Sequence, residues 1–131
     1  AEQYRKASLV ICRAGATTLA EVTACGKVSV LIPYPHAAHN HQEKNARLLD
    51  AANAGELVLD KELSGERIAQ SILRAMEDPK RMQEMEDNSY QLGKRDATEK
   101  VGAICMDLLK DANQKSGRTR KTERNYVLSC F

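Results

Sequence analysis

Three groups of residues in this chain of 131 have the types and spacing to do chemistry. The first is Arg13-Ala-Gly-Ala-Thr-Thr18, a run of small residues between a short apolar stretch and an amphipathic one. If those neighbours are a strand and a helix, the run ends in free backbone N–H groups at the positive end of a helix dipole, a setting suited to phosphate. Gly15 would let a ligand come close to the backbone. The same residues also serve as a plain, clash-free connection, and the turn alone does not choose between the two. The second is Glu21. A carboxylate beside a phosphate-binding helix end can accept both hydroxyls of a ribose through two charge-assisted hydrogen bonds. Its competing role is local, because Thr18-Leu-Ala-Glu21 has the spacing of a capping box, in which Glu21 reaches back to the cap's own N–H. Spacing alone favours the cap.

The third group is His36-Ala-Ala-His-Asn-His-Gln-Glu-Lys-Asn45, which holds every histidine of the chain, at 36, 39 and 41. These imidazoles lack the i, i+4 pairing of a helical zinc site and have no cysteine at a suitable distance, so no metal is expected here. Gln42 and Asn45 instead fall one turn apart on one helix face. Amide side chains both donate and accept, which is what sugar hydroxyls require. A solvated helix end is the plainer alternative.

The elements that must position these groups can be read from periodicity. Ser8–Cys12 is a short β-branched run, expected as a strand buried on both faces. Leu19–Cys25 carries Leu19, Val22 and Cys25 at helical spacing, with Gly26 at the C′ position. Val28–Ile32 reads as a second buried strand ended by Pro33 and Pro35. Strand, turn, helix, glycine, strand is a βαβ unit, and such units build parallel sheets. A helix from about Gln42 to Asn53 follows, with Ala46, Leu49 and Asn53 on one stripe, then Gly55 as its terminator and a third strand over Glu56–Leu59. The remainder reads as helical. Ser64 caps a helix with Ile68, Ile72, Leu73 and Met76 inside, Asp78-Pro79 starts another through Met82 and Met85, and Asp96-Ala-Thr-Glu99 heads a last one carrying Val101, Ile104, Cys105, Leu108 and Leu109.

Bulk properties narrow the classes. The length allows one domain, with no internal repeat, no apolar run long enough to span a membrane and no signal peptide. The four cysteines, at 12, 25, 105 and 130, have neither metal-site nor disulfide-framework spacing, so reduced thiols in the cytosol are expected. The net charge of +2 is uneven: residues 111–131 carry five basic and two acidic side chains, and the rest is near neutral. A polyanion partner is therefore not expected for the body, and nucleic acid is not expected as a ligand. The tail from 111 to 131 reads as a solvated, disordered end. The opening Ala1, in place of a methionine, reads as a piece of something longer.

Taken in order, Val10-Ile-Cys-Arg-Ala-Gly-Ala-Thr-Thr-Leu-Ala-Glu21, Gly26, Leu31-Ile-Pro-Tyr-Pro-His36, His41-Gln42-x-x-Asn45 and Asp96-Ala-Thr-Glu99 resemble the donor-domain signature of the peptidoglycan N-acetylglucosaminyltransferases, glycosyltransferase family 28. The resemblance runs from about Ala1 to Leu109 and is specific as a combined pattern. It implies an α/β fold, a Rossmann-like parallel sheet with flanking helices followed by C-terminal helices, forming the C-terminal half of a two-Rossmann-domain (GT-B) enzyme. Residues 1–110 would be a partial donor domain. It implies that Glu21 holds the uridine ribose hydroxyls, reversing the preference for the cap. Arg13, Gly15, Ala16, Thr17 and Thr18 would lie against the nucleotide and its diphosphate, and Gln42 and Asn45 would read the N-acetylglucosamine. His36 matches a loop position of the family without a catalytic role. His41 stands where relatives often have a second glutamine.

The reaction implied is transfer of N-acetylglucosamine from UDP-N-acetylglucosamine to a lipid-linked muramyl pentapeptide, with inversion and without a cofactor or metal. The resemblance further implies a place on the cytoplasmic face of the plasma membrane. Base and membrane-docking surface would belong to an amino-terminal domain, so no catalytic residue is expected among these 131 and the chain alone is not expected to turn over. Two alternatives stay open at this point. One is the donor subunit of a dolichol-linked N-acetylglucosaminyltransferase, and the other is an inactive nucleotide-binding or interaction domain.

Overall fold

The computed structural model describes residues 2–115. A short helix α1 (Glu2–Lys6) precedes strand β1 (Leu9–Cys12), helix α2 (Ala16–Ala24), strand β2 (Val28–Leu31), helix α3 (His41–Ala51) and strand β3 (Gly55–Leu57). Helices α4 (Gly65–Glu77), α5 (Pro79–Leu92) and α6 (Ala97–Lys115) complete the described residues. The strands form one parallel sheet in the order β1-β2-β3, with Ile11 opposite Val30 and Leu31 opposite Leu57. The α/β, Rossmann-like architecture expected from the sequence is present, with helices after the third strand. Among the described residues no helix is long and apolar enough to cross a membrane.

The alternation of strand side chains divides the core in two. On one face Leu31 packs with Ala14, Leu19 of α2 and Ala46 and Leu49 of α3. On the other, Val30, Ile32 and Val58 pack with Leu9 and Ile68 of α4. Strand β2 is buried at every position, as a central strand must be. Strand β1 is not, contrary to the sequence expectation. Among the described residues it pairs on one side only, with β2, and Ile11 is 44% exposed. Hydrophobicity marks a strand but not its place in the sheet.

Local signals set most boundaries. Helix α2 ends in a Schellman turn: Gly26 takes φ +61, and Lys27 N–H donates to Val22 O at 3.0 Å. Helix α3 ends the same way, but on Asn53 (φ 49), whose neighbour Ala54 donates to Leu49 O at 2.8 Å. Asn53 is therefore the left-handed terminator and not the last residue of the inner stripe. Gly55, expected to end α3, instead opens β3, where a Cβ would lie 3.0 Å from both oxygens of Ser29. Ser64 and Asp78 cap α4 and α5 by accepting from Arg67 and Arg81 N–H.

The inner face of α4 departs from the expected one. Leu73 and Met76 are 53% and 72% exposed, and Ser71 is the buried residue. The reason is Glu56, which β3 directs towards α4. Arg67 and Arg74 reach it at 2.8 and 3.0 Å and flank Ser71 on one helix stripe, which lies beside Ile68 on the side of α4 that meets the sheet. A half-buried carboxylate demands partners more strongly than two aliphatic side chains demand burial.

The unit boundary falls between Arg95 and Asp96. In the second unit, α6 carries an Asp96–Lys100 ion pair at 2.6 Å in its first turn and continues through Asn113 to Lys115. The rest of the expected basic tail lies outside the described residues.

Candidate functional site

The connection from β1 to α2 is three residues long, Arg13 to Gly15. Ala14 is fully buried, so the chain turns at once into the helix. Gly15 occupies the N-cap with extended backbone, φ −68 and ψ 145, and Leu19 N–H donates to its carbonyl at 3.0 Å. Gly15 has no side chain, and no side-chain cap closes this end. Ala16, Thr17 and Thr18 are thus the first three helical residues, whose N–H groups have no acceptor inside the helix.

This placement overturns the capping-box spacing. Thr18 is the third helical residue and not the cap, and Glu21 lies a turn beyond the reach of the cap N–H. Glu21 is exposed, on the same side of α2 as Thr17 and Thr18, from which it is four and three residues away. Its carboxylate Oε2 accepts from the Tyr4 hydroxyl at 3.1 Å. The open helix end lies at the carboxyl end of β1, where parallel sheets bind ligands, and the exposed Glu21 carboxylate, held by Tyr4, follows on the next turn of α2.

The remaining expected residues surround this end unequally. Asn45 Nδ2 donates to Ala14 O at 3.3 Å, which ties the first turns of α3 to the bend before α2. Gln42 Oε1 accepts from Tyr34 N–H at 2.9 Å and fixes the loop after β2. Each amide is thus half spent on structure, leaving Gln42 Nε2 and Asn45 Oδ1 as the atoms able to meet a sugar. Both residues are half-buried. Arg13 is more fully committed. Its Nη1 donates to Ile32 O, Pro33 O and Asp60 Oδ1 at 3.3, 3.2 and 3.1 Å, and its guanidinium lies 5.8 Å from the Tyr34 ring centre. Arg13 joins the carboxyl end of β1 to the loops after β2 and β3.

The histidines do not converge. His36 is exposed with its ring edge-on to Tyr34 at 5.6 Å. His41 Nδ1 lies 2.7 Å from Ala38 O, back on its own turn. His39 and Asn40 are both left-handed, at φ 53, and bring the chain sharply into α3. Beside them a cleft of about 340 Å³ opens, walled by Pro33, Tyr34, Glu43, Arg47 and Asp60. It lies on the other flank of α3 from Gln42 and Asn45, and Glu43 and Arg47 are paired across one turn. Sequence spacing gave no hint of Tyr4 or Asp60, which meet Glu21 and Arg13 from 17 and 47 residues away.

The N-cap glycine offers a test in which stability and binding move in opposite directions. Nothing in the fold requires glycine there, since its backbone is ordinary and a Cβ would meet only Thr18 Oγ1 at 3.9 Å. A serine suits the position and would satisfy a helix N–H, so Gly15→Ser is expected to stabilise the chain by a few tenths of a kcal/mol, up to about 1 kcal/mol. If an anion uses those N–H groups, the same change weakens it, because the serine oxygen occupies them. Thermal unfolding together with titration of UDP checks both signs. A serine variant that binds UDP as tightly as its parent counts against an anion site at this helix end.

The model of the glycosyltransferase family 28 C-terminal domain matches residues 1–101. Several relatives carry the name UDP-N-acetylglucosamine–N-acetylmuramyl-(pentapeptide) pyrophosphoryl-undecaprenol N-acetylglucosamine transferase. That of Geobacter sp. (strain M21) is 46% identical over 121 residues, covering 92% of this chain and 32% of the relative. That of Thermodesulfovibrio yellowstonii is 53% identical over 109 residues, covering 83% and 30%. The crystal structure of Acinetobacter baumannii MurG superposes with a TM-score of 0.71 at 29% identity, over 81% of this chain and 30% of that one. The chain spans about a third of the length of these relatives.

Proposed function

The chain belongs to the glycosyltransferase family 28 C-terminal domain family, and from that premise we propose that it is the donor-binding part of an inverting N-acetylglucosaminyltransferase. The donor is UDP-N-acetylglucosamine and the acceptor a lipid-linked muramyl pentapeptide, as the names of its relatives describe for them. A lipid-linked acceptor places the reaction at a membrane surface, on its cytoplasmic face in this reading.

One observation supports the reading most directly: the N-terminus of α2 is open over a glycine cap, with Glu21 beside it and turned away from that cap. In the proposed complex the diphosphate lies against Gly15 and the N–H groups of Ala16, Thr17 and Thr18, and Glu21 accepts both ribose hydroxyls. Gln42 Nε2 and Asn45 Oδ1 face the N-acetylglucosamine. Arg13 acts at one remove, by holding the loops after β2 and β3 against the carboxyl end of β1.

Transfer requires charge to grow on the diphosphate as the acceptor oxygen attacks the anomeric carbon from the opposite side. Prearranged N–H groups at a helix end stabilise that charge without reorganising during the step. The chain's share of catalysis is therefore electrostatic. Activation of the acceptor hydroxyl is assigned to no residue of this chain.

Calorimetric titration of the chain with UDP, UDP-N-acetylglucosamine and uridine tests the proposal. UDP and the sugar nucleotide are expected to bind, and uridine to bind at least about tenfold more weakly, because it lacks the group held by the helix end. A chain that takes up neither UDP nor UDP-N-acetylglucosamine refutes the assignment.

A further inference from the structure

Tyr4 has no part in the site as described so far, yet among the described residues it makes the one side-chain hydrogen bond of Glu21. The two residues come from different elements, α1 and α2, and the Tyr4 hydroxyl donates to Oε2 at 3.1 Å. Resting on the donor-site reading above, we propose that Tyr4 is a positioning residue for the ribose, one that presets the Glu21 carboxylate before the nucleotide arrives.

The argument follows from what an exposed glutamate lacks. Its side chain turns about three bonds, and fixing it on binding opposes affinity. A hydrogen bond from a second element removes part of that freedom beforehand. A carboxylate offers about four lone-pair sites, and one phenol occupies one of them. Among the described residues Oε1 and the second lone pair of Oε2 make no hydrogen bond, and a ribose diol needs two acceptors. Tyr4 therefore orients the carboxylate without consuming its capacity.

The phenol itself carries a mark of the contact. Tyr4 titrates above the ordinary tyrosine range, first because its surroundings disfavour the charged phenolate and next because it donates to Glu21 and faces that carboxylate's charge. The hydroxyl is a donor at neutral pH, as any tyrosine is, and the upward shift extends that form to higher pH.

The test uses UDP and 2′,3′-dideoxy-UDP, titrated into the full chain and its variants. Tyr4→Phe removes only the hydroxyl and is expected to weaken UDP about three- to tenfold, the worth of one hydrogen bond. The dideoxy nucleotide, which has no diol to receive, is expected to bind both forms alike. In a Glu21→Ala background, Tyr4→Phe is expected to change nothing further. Equal losses for both nucleotides overturn the inference, because a residue that merely supports the fold acts on every ligand. So does unchanged UDP affinity in Tyr4→Phe while Glu21→Ala is impaired, and in that case the donor site itself stands. If Glu21→Ala binds UDP normally, the ribose assignment fails first and this inference with it. A separate check needs no ligand: the carbon-13 titration of the Tyr4 ring is expected to move down in Glu21→Gln, and a curve that does not move excludes the contact.

Discussion

Glu21→Ala is expected to weaken UDP by about a hundredfold or more while leaving the fold nearly as stable as before. The two halves of that result have separate causes. Each hydrogen bond from a ribose hydroxyl to a carboxylate is worth roughly 1.5–3 kcal/mol, so losing two removes about 3 kcal/mol or more, which is a factor of at least 10². The fold loses little, because Glu21 is exposed and its one side-chain hydrogen bond among the described residues is with Tyr4, itself near the surface. Surface substitutions of this kind usually stay within about 0.5 kcal/mol. Had Glu21 closed a capping box, the pattern would invert, with stability falling and nucleotide affinity holding. Calorimetry and urea unfolding on the same variant separate the two. UDP affinity within twofold of the parent's would falsify the ribose assignment.

The second large effect concerns stability. Leu31→Ala is expected to cost about 3–5 kcal/mol, in the upper part of the range for buried leucines. Leu31 is completely buried on the central strand, and three of its cluster partners, Ala14, Ala46 and Ala54, are already small. Side chains that short cannot lean into the vacated space, so the cavity persists and its cost with it. A small domain has about 5–15 kcal/mol in total, which makes this variant marginal. The site should suffer too, since Ala14 packs in that cluster and accepts from Asn45 at the bend before α2. Urea unfolding is expected to show a lower midpoint at unchanged slope. A loss below 1 kcal/mol would mean that Leu31 is not the centre of this core.

Much of the fold was legible because its signals are local. The βαβ pattern, the caps at Ser64 and Asp78 and the glycine after α2 each depend on residues within a few positions of one another, and the structure places all of them as expected. The site was legible in part for the same reason. A small-residue turn between strand and helix is a local feature, and so is the short distance from it to Glu21. The start of α2 was misplaced by three residues because a threonine three before a glutamate imitates a cap, whereas the helix begins right after the buried Ala14 and the Gly15 cap.

What the sequence determined by itself, then, was the order of elements, the parallel sheet, the family resemblance and the names of the residues at the turn. What only the tertiary structure decided was how those residues are employed. Periodicity could not tell that Ile11 of β1 would be 44% exposed among the described residues while every position of β2 is buried, since burial is a property of the neighbours a strand acquires. Nor could it tell that Glu56 would draw two arginines inward and leave Leu73 and Met76 in water. Arg13, expected against the nucleotide, also ties three strand ends together, while Tyr4 looked like nothing and came to hold Glu21. The physical reason is the same in each case. A side chain's partner is set by which elements the packed core brings together, and that information is spread over residues far apart in the chain.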